Sequence, residues 1–308
     1  MILLTGSTGF VGQNLLSHLK AIDKYDILSL GRSAGVRKEF ATLTYADFFA
    51  NPSIAAQHYI HLAGKAHDLK KTANDQEYFE VNFGLTKKLY DRFLEDQEAK
   101  TFIFISSVKA AKDKVEGVLT EDTACDPVTP YGKSKLQAEQ YILSKLPPDK
   151  NVYILRPCMI HGPGNKGNLN LLFSFAQKGL PYPLAAFDNQ RSFLSVDNLT
   201  FVIGRLMEKA VPSGIYHLSD DGTFSTNELI AMMAESLDKS PQLLKVPASL
   251  IQGIAKLGDK LKLPLNSERL QKLTESYLVS NAKIKAALGE ELPVAAKEGL
   301  MKTFASFR

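Results

Sequence analysis

The sequence predicts an α/β protein, a doubly wound parallel sheet with a smaller, mostly helical C-terminal lobe. Three observations predict it. Short apolar, β-branched runs alternate with stretches of helical periodicity through the first half of the chain, as in a parallel sheet covered on both faces. The first run leads into Gly6, Gly9 and Gly12, spaced by three, and a helical pattern follows at once. After Pro157 the alternation gives way to Gly/Pro/Asn loops and helices.

In order, residues 2–4 read as a buried strand, 11–19 as a helix, 26–30 as the second strand, 43–45 as a short third and 58–63 as a fourth. A long helix is expected over 75–96, a β-branched strand over 101–105, a helix over 130–145 and a strand over 152–155. Residues 162–167 form a loop and 170–178 a helix. Residues 198–208 are helical, and 214–218 return a strand to the sheet. A helix over 225–237 has Ser225 or Thr226 as N-cap and Glu228 in its first turn. The remainder is helical, broken at Pro241, Pro247, Pro264 and Pro293. The expected division is a dinucleotide-binding domain over 1–160 with a return segment near 196–219, and a substrate lobe from 161–195 and 220–308. Ligands in such sheets bind at the carboxyl ends of strands, where every motif below falls.

Composition narrows the function classes. A chain of 308 residues, 44% hydrophobic and 23% charged, buries a sizeable core. A net charge of +4 with scattered Lys and Arg argues against nucleic acid as a partner. Cys125 and Cys158 make no disulfide framework and are expected as reduced thiols. No apolar run reaches the roughly 20 residues of a membrane span. Gly6 and Gly9 interrupt the first apolar stretch, so no signal-peptide leader is expected, and the expected location is cytoplasmic.

The glycine spacing suits a strand that turns sharply into a helix whose free N–H groups and dipole favour a pyrophosphate. Gly6 permits the turn, Gly9 removes a Cβ that would block phosphate, and Gly12 lets helix pack on strand. A second constellation is Tyr131-Gly132-Lys133-Ser134-Lys135. Tyr131 and Lys135, four apart, share one helix face. An ammonium near a phenol favours the phenolate and lowers the tyrosine pKa from about 10, fitting Tyr131 for proton exchange with an alcohol or carbonyl. Ser106 or Ser107, at the end of the strand over 101–105, could polarise the same oxygen.

With these residues the chain resembles the extended short-chain dehydrogenase/reductases, in their nucleotide-sugar epimerase/dehydratase/reductase group. The resemblance spans essentially the whole chain. It rests on Thr5 to Gly12, His61-Leu62-Ala63-Gly64, Val81-Asn82, Phe104-Ile105-Ser106-Ser107, Tyr131 to Lys135, and Leu155-Arg156-Pro157 followed by Gly162-Pro163-Gly164. Ser106 to Lys109 and Arg156 to Met159 point to the UDP-glucose 4-epimerase-like branch, which also holds reductases of 4-keto-6-deoxy sugar nucleotides. The resemblance implies a Rossmann dinucleotide fold and hydride transfer at the sugar 4-position. Tyr131 would be the general acid/base, Lys135 would position it and hold the nicotinamide ribose, and Ser107 would bind the reacting oxygen. Ser106 would serve packing or cofactor contact. Gly6, Gly9, Phe10, Val11, Gly12, Leu62, Ala63, Gly64 and Asn82 would line the cofactor groove. Asp47 and Phe48 would contact adenine, and Pro157 would approach the nicotinamide. Arg191, with Asn168 or Asn170, would bind the substrate diphosphate. The helices over 75–96 and 130–145 resemble those of the family's homodimer bundle. Phe79, Phe83, Leu85 and Leu89 fit burial against a partner or against the chain's own sheet.

Two departures shape the expectation. NAD enzymes usually carry Asp or Glu at the end of the second strand. Leu30-Gly31-Arg32-Ser33 has none, and Arg32 and Ser33 could hold a 2′-phosphate, which favours NADP over NAD; alternatively, Arg32 stacks on adenine. Met159 stands at the substrate-facing position where many sugar epimerases have Asn, so the usual substrate contact is lost or supplied elsewhere, which weakens a direct transfer of UDP-galactose specificity. A 4-epimerase and a 4-ketoreductase of a nucleotide-activated sugar therefore both stand. A non-catalytic dinucleotide sensor or scaffold is the reading from another class. No metal site is expected: His58, His61 and His67 read as core or groove residues, and His161 as a residue of the substrate cleft. Cys158 reads as a buried apolar group. Lys109, Lys112 and Lys114 form a basic loop that is either solvated or in contact with a substrate phosphate.

Overall fold

The computed structural model describes residues 1–37, 40–65, 74–261 and 266–308. Its strands are β1 (Ile2–Thr5), β2 (Ile27–Gly31), β3 (Gly35–Arg37), β4 (Phe40–Thr44), β5 (His58–His61), β6 (Thr101–Ile105), β7 (Val118–Leu119), β8 (Asn151–Pro157), β9 (Met159–His161), β10 (Phe193–Ser195), β11 (Gly214–Leu218) and β12 (Leu278–Val279). Its helices are α1 (Phe10–Ile22), α2 (Tyr45–Ala50), α3 (Asp75–Tyr78), α4 (Leu85–Glu95), α5 (Pro130–Leu143) and α6 (Asn168–Gln177). They continue with α7 (Val196–Glu208), α8 (Thr226–Ser236), α9 (Ala248–Leu261), α10 (Ser267–Thr274), α11 (Ala282–Leu288) and α12 (Ala296–Ala305).

The main sheet runs β11-β8-β6-β5-β1-β2-β4-β3. All its neighbours are parallel except the edge pair β3 and β4. Its direction of growth reverses at β1, the point where a crevice opens at the carboxyl ends. The predicted doubly wound sheet is thus the fold. One face is covered by a core that includes Leu15, Leu19, Leu199 and Val202 from α1 and α7. The other is covered by Leu89, Phe93, Ala138 and Ile142 from α4 and α5.

Several boundaries differ from the sequence expectation, each for a local reason. The strand expected over 43–45 is β4, which starts earlier and ends at Thr44, where that residue caps α2 by accepting from Asp47 N at 3.0 Å; the edge strand β3 before it has no counterpart in that expectation. The helix expected over 75–96 contains a π-helical turn, Phe79–Gly84, between α3 and α4. Such wide turns concentrate at functional sites. Phe83, Leu85 and Leu89 of this stretch pack against the chain's own sheet core. Near its end the chain returns to the sheet, where Ile284 and Leu288 of α11 join the α1 and α7 core. Among the described residues no helix is long and apolar enough to cross a membrane.

Candidate active site

The glycine turn is built as its spacing requires. Gly6 has φ +72°, and a Cβ there would sit 2.7 Å from Ala63 N. A Cβ on Gly12 would lie 2.2 Å from Gly6 O, so only glycine lets α1 close on the turn. The N-cap of α1 is Gly9, which brings no capping side chain to compete for the helix's first N–H groups. In front of this turn lies a cavity of about 780 Å³ walled by Gly6, Ser7, Thr8, Gly9, Leu30, Gly31, Arg32, Ser33, Thr42, Tyr45, Leu62, Ala63 and Gly64, with Glu77, Glu80 and Val81 from the next helical segment. The uncapped helix start and the bare glycine backbone fit a dinucleotide pyrophosphate.

A smaller cavity of about 220 Å³ adjoins it, and the two share Leu62, Gly64 and Lys65. Its walls include Ser106, Ser107, Tyr131, Lys135, Pro157 and Cys158, drawn from the ends of β5, β6 and β8 and the start of α5. Thr129 starts α5 by accepting from Gly132 N at 3.2 Å, and Pro130 follows at the first helical position. A Cβ on Gly132 would stand 2.4 Å from Lys109 O. That glycine therefore lets α5 press against the Ser107 turn and brings Tyr131 into a hydrogen bond with Ser107. Ser107 also caps the short turn after β6, accepting from Lys109 N at 3.2 Å.

The electrostatics correct one expectation. Burial raises the Tyr131 pKa, and the Ser107 hydrogen bond only partly opposes it. Lys135 is itself buried, which pulls its pKa down to about 8. Its ammonium donates to Ile105 O at 2.8 Å and lies 4.7 Å from the centre of the Phe104 ring. The lysine is therefore tied to the strand end, and desolvation dominates the phenol.

The wall between the cavities is held by the π-helical turn. Asn82, fully buried, accepts from Lys65 N at 2.7 Å and donates to Lys65 O at 3.1 Å and Ser134 Oγ at 3.0 Å. A Cβ on Gly64 would meet both Asn82 Oδ1 and Lys135 Nζ at 3.0 Å. The same region is braced by His61, whose Nδ1 is 2.6 Å from Thr5 Oγ1 and whose Nε2 is 2.9 Å from Thr86 Oγ1. Ala63 N donates to Thr5 Oγ1 and Thr86 Oγ1 donates to Asn82 O, so a neutral imidazole accepts at Nδ1 and donates at Nε2. Burial lowers the His61 pKa to about 3, which keeps it neutral.

Other expected contacts fall elsewhere. Phe48 is 0% exposed in the core and lines neither cavity; Asp47 is exposed and occupied in capping α2. Thr42 and Tyr45 form that part of the wall instead. Phe10, Val11, Gly12 and Asn82 line neither cavity. Ser106 directs its hydroxyl to Glu139. Arg191 lies in a junction of chain segments, bridged to Phe224 and Tyr277, with Nε donating to Glu275 O at 3.1 Å. Met159 sits on β9 beside Phe193, Asn168 is exposed at the start of α6, and Asn170 accepts from Gly167 N at 2.8 Å. None of these four lines either cavity. His161 is fully buried, 2.8 Å from Thr303 Oγ1, and does not face a cleft. Lys109 packs over the Tyr277 ring and Lys112 pairs with Asp126 at 3.4 Å. Burial lifts the Cys158 thiol well above its ordinary range, but the residue is half-buried and lines the smaller cavity instead of lying wholly in the core as expected. His67 lies outside the described residues.

Buried histidines set an acid limit on the fold. Burial lowers His58 and His217 to about 4 and His61 to about 3, below the unfolded value near 6.5. Between these values the unfolded chain binds more protons, so stability falls as pH drops from about 6.5 towards 4. The expected urea midpoint is lower at pH 5 than at pH 7, and His58→Gln removes about 1–2 kcal/mol of that difference. A pH dependence unchanged by the substitution counts against this account.

With the geometry described, comparison with known proteins adds the lineage. The UDP-glucose 4-epimerase of Vibrio cholerae is 33% identical, covering 99% of this chain and 95% of its own length. The N-acetyl-α-D-glucosaminyl-diphospho-ditrans,octacis-undecaprenol 4-epimerase of Escherichia coli O157:H7 is 28% identical, over 98% of this chain and 93% of its own. The structure of UDP-glucuronic acid 4-epimerase from Bacillus cereus in complex with NAD superposes with a TM-score of 0.76 at 17% identity, covering 99% of this chain and 96% of that one. The sequence profile described as the NAD dependent epimerase/dehydratase family matches residues 2–219, and this chain belongs to that family.

Proposed function

We propose that this enzyme interconverts UDP-hexoses that differ at the sugar 4-position. The observation that carries the reading is the meeting of Ser107, Tyr131 and Lys135 in the small cavity that adjoins the dinucleotide-shaped one, in a chain 33% identical to a UDP-glucose 4-epimerase. A bound nicotinamide would accept hydride from the sugar's C4 and return it to the opposite face. The protein's part is proton handling and positioning. Tyr131 takes the proton of the 4-hydroxyl and gives it back, and Ser107 hydrogen-bonds the same oxygen. Lys135, with one N–H committed to Ile105 O, has two left for the ribose and the phenol edge. Asn82 holds the Gly64–Lys65 backbone against this wall. A reading as a mere sensor leaves this assembled set without a purpose and is not favoured.

One observation favours a second reading, a 4-ketoreductase using NADPH. Arg32 and Ser33 line the dinucleotide cavity at the end of β2, and that strand end supplies no carboxylate. Among the described residues, the carboxylates of the cavity wall are Glu77 and Glu80, from another segment. The deciding experiment incubates the protein with UDP-glucose and with a 4-keto-6-deoxy sugar nucleotide, each with NAD or NADP. The expected result is UDP-galactose formed without net change in nicotinamide absorbance. Consumption of NADPH in step with the keto sugar, without epimer, overturns it in favour of the reductase. Arg32→Ala is expected to weaken NADP binding roughly tenfold or more by removing a charge-assisted contact while sparing NAD. Equal weakening of both means that Arg32 serves adenine instead.

A further inference from the structure

Helix α9 carries two apolar stripes, and only one is covered. Ile251 and Ala255 are buried with Tyr182, Leu184 and Ile230. About 100° away round the helix, Leu250, Ile254, Leu257 and Leu261 form a row at i, i+4, i+7 and i+11, exposed by 56, 43, 52 and 59%. Singly exposed leucines are ordinary, but a continuous apolar row along a helix marks a contact surface. Leu273, on the packed neighbour α10, is 42% exposed.

The charges around the row indicate what covers it. Lys256 and Lys260, both exposed, stand on the face next to the row, and exposed Lys245 precedes the helix. The helix has one acid, Asp259, on the side opposite the row, where it holds the start of α10 by accepting from Ser267 N at 3.0 Å and Ser267 Oγ at 2.5 Å. A second copy laid on this face would find no acid of α9 for its lysines. An anionic lipid surface satisfies both features, since leucines enter the acyl boundary while lysines reach the headgroups. We infer that the exposed face of α9 docks this protein on an anionic membrane, independently of the reaction proposed above.

The test is co-sedimentation of the full chain with vesicles of phosphatidylcholine alone and of phosphatidylcholine with phosphatidylglycerol. Binding is expected to the anionic vesicles, falling steeply with salt. The variants Leu250→Ser/Leu257→Ser and Lys256→Gln/Lys260→Gln each weaken it about tenfold or more, consistent with roughly one kcal/mol per residue at a bilayer surface. Turnover of UDP-glucose in solution and elution volume are measured for every variant. The lysine pair does not touch the packed face, so it tests the inference even where the leucine variant fails to fold. Absence of binding at low salt, equal binding to both vesicle types, or binding indifferent to the lysine pair overturns the inference. So does a native dimer that the leucine variant converts to a monomer, because a second copy then covers the row.

Discussion

Tyr131→Phe is expected to lower kcat by about 10³-fold while leaving KM within a few-fold and cofactor loading intact. The phenol oxygen is the group placed to exchange the proton of the reacting hydroxyl, and positioned acid–base groups contribute typically 10²–10⁴. The ring itself survives the change. It packs edge-on to Tyr78, with centroids 6.3 Å apart, and this contact needs no hydroxyl. The oxygen's local partner is Ser107, which also caps its own turn, so the loss leaves no deeply buried donor stranded. The prediction is checked by steady-state kinetics with UDP-glucose alongside cofactor titration. A kcat within tenfold of the native value removes Tyr131 from proton transfer. Because burial raises the Tyr131 pKa, the oxidative half-reaction is further expected to speed up with rising pH, a dependence that Tyr131→Phe abolishes.

Glu139→Ala is expected to destabilise the protein by about 3–5 kcal/mol, enough to consume much of a typical domain's stability. Glu139 is fully buried on the Tyr131 and Lys135 face of α5, at i, i+4 and i+8. It accepts from Arg156 Nε at 2.9 Å, from Arg156 Nη2 and from the Ser106 hydroxyl. Arg156 is 1% exposed, so losing the carboxylate leaves a guanidinium without its counter-charge. This pair holds α5 to β6 and β8 and so fixes where Tyr131 stands relative to Ser107. Urea unfolding reads the stability. Glu139→Leu/Arg156→Met is expected to recover most of the loss, since replacing both charges removes the stranded cation. A Glu139→Ala loss below about 1 kcal/mol would falsify the assignment of this pair as the clamp on α5.

Parts of the site were legible in the sequence because their chemistry is local. Gly6, Gly9 and Gly12 announce a strand-to-helix turn, and the Cβ clashes at Gly6 and Gly12 show that those two positions admit only glycine. The Tyr131 and Lys135 spacing puts both on one helix face in any context. What stayed hidden depended on partners distant in the chain. Asn82 was visible as a residue, but the wide helical turn around it was not. Asp47 and Phe48 follow β4, yet the true start of α2 turns Phe48 inward and leaves Tyr45 at the cavity. The family resemblance separates Ser107 from Ser106, but the partner of each hydroxyl, Tyr131 for one and Glu139 for the other, follows from the packing of α5.

The sequence by itself determined the doubly wound sheet and the glycine turn and pointed to Tyr131 and Lys135 as the pair proposed to react, since hydrophobic period, glycine geometry and i, i+4 spacing act over a few residues. Only the tertiary structure decided which way the pKa values of that pair move. Burial raises the phenol and brings the ammonium down to about 8, against the simple expectation from their proximity. The tertiary structure also placed Arg191, Met159, Asn168 and Asn170 away from both cavities and left one face of α9 uncovered. Desolvation and long-range packing depend on which segments meet, and that is settled by the whole chain at once.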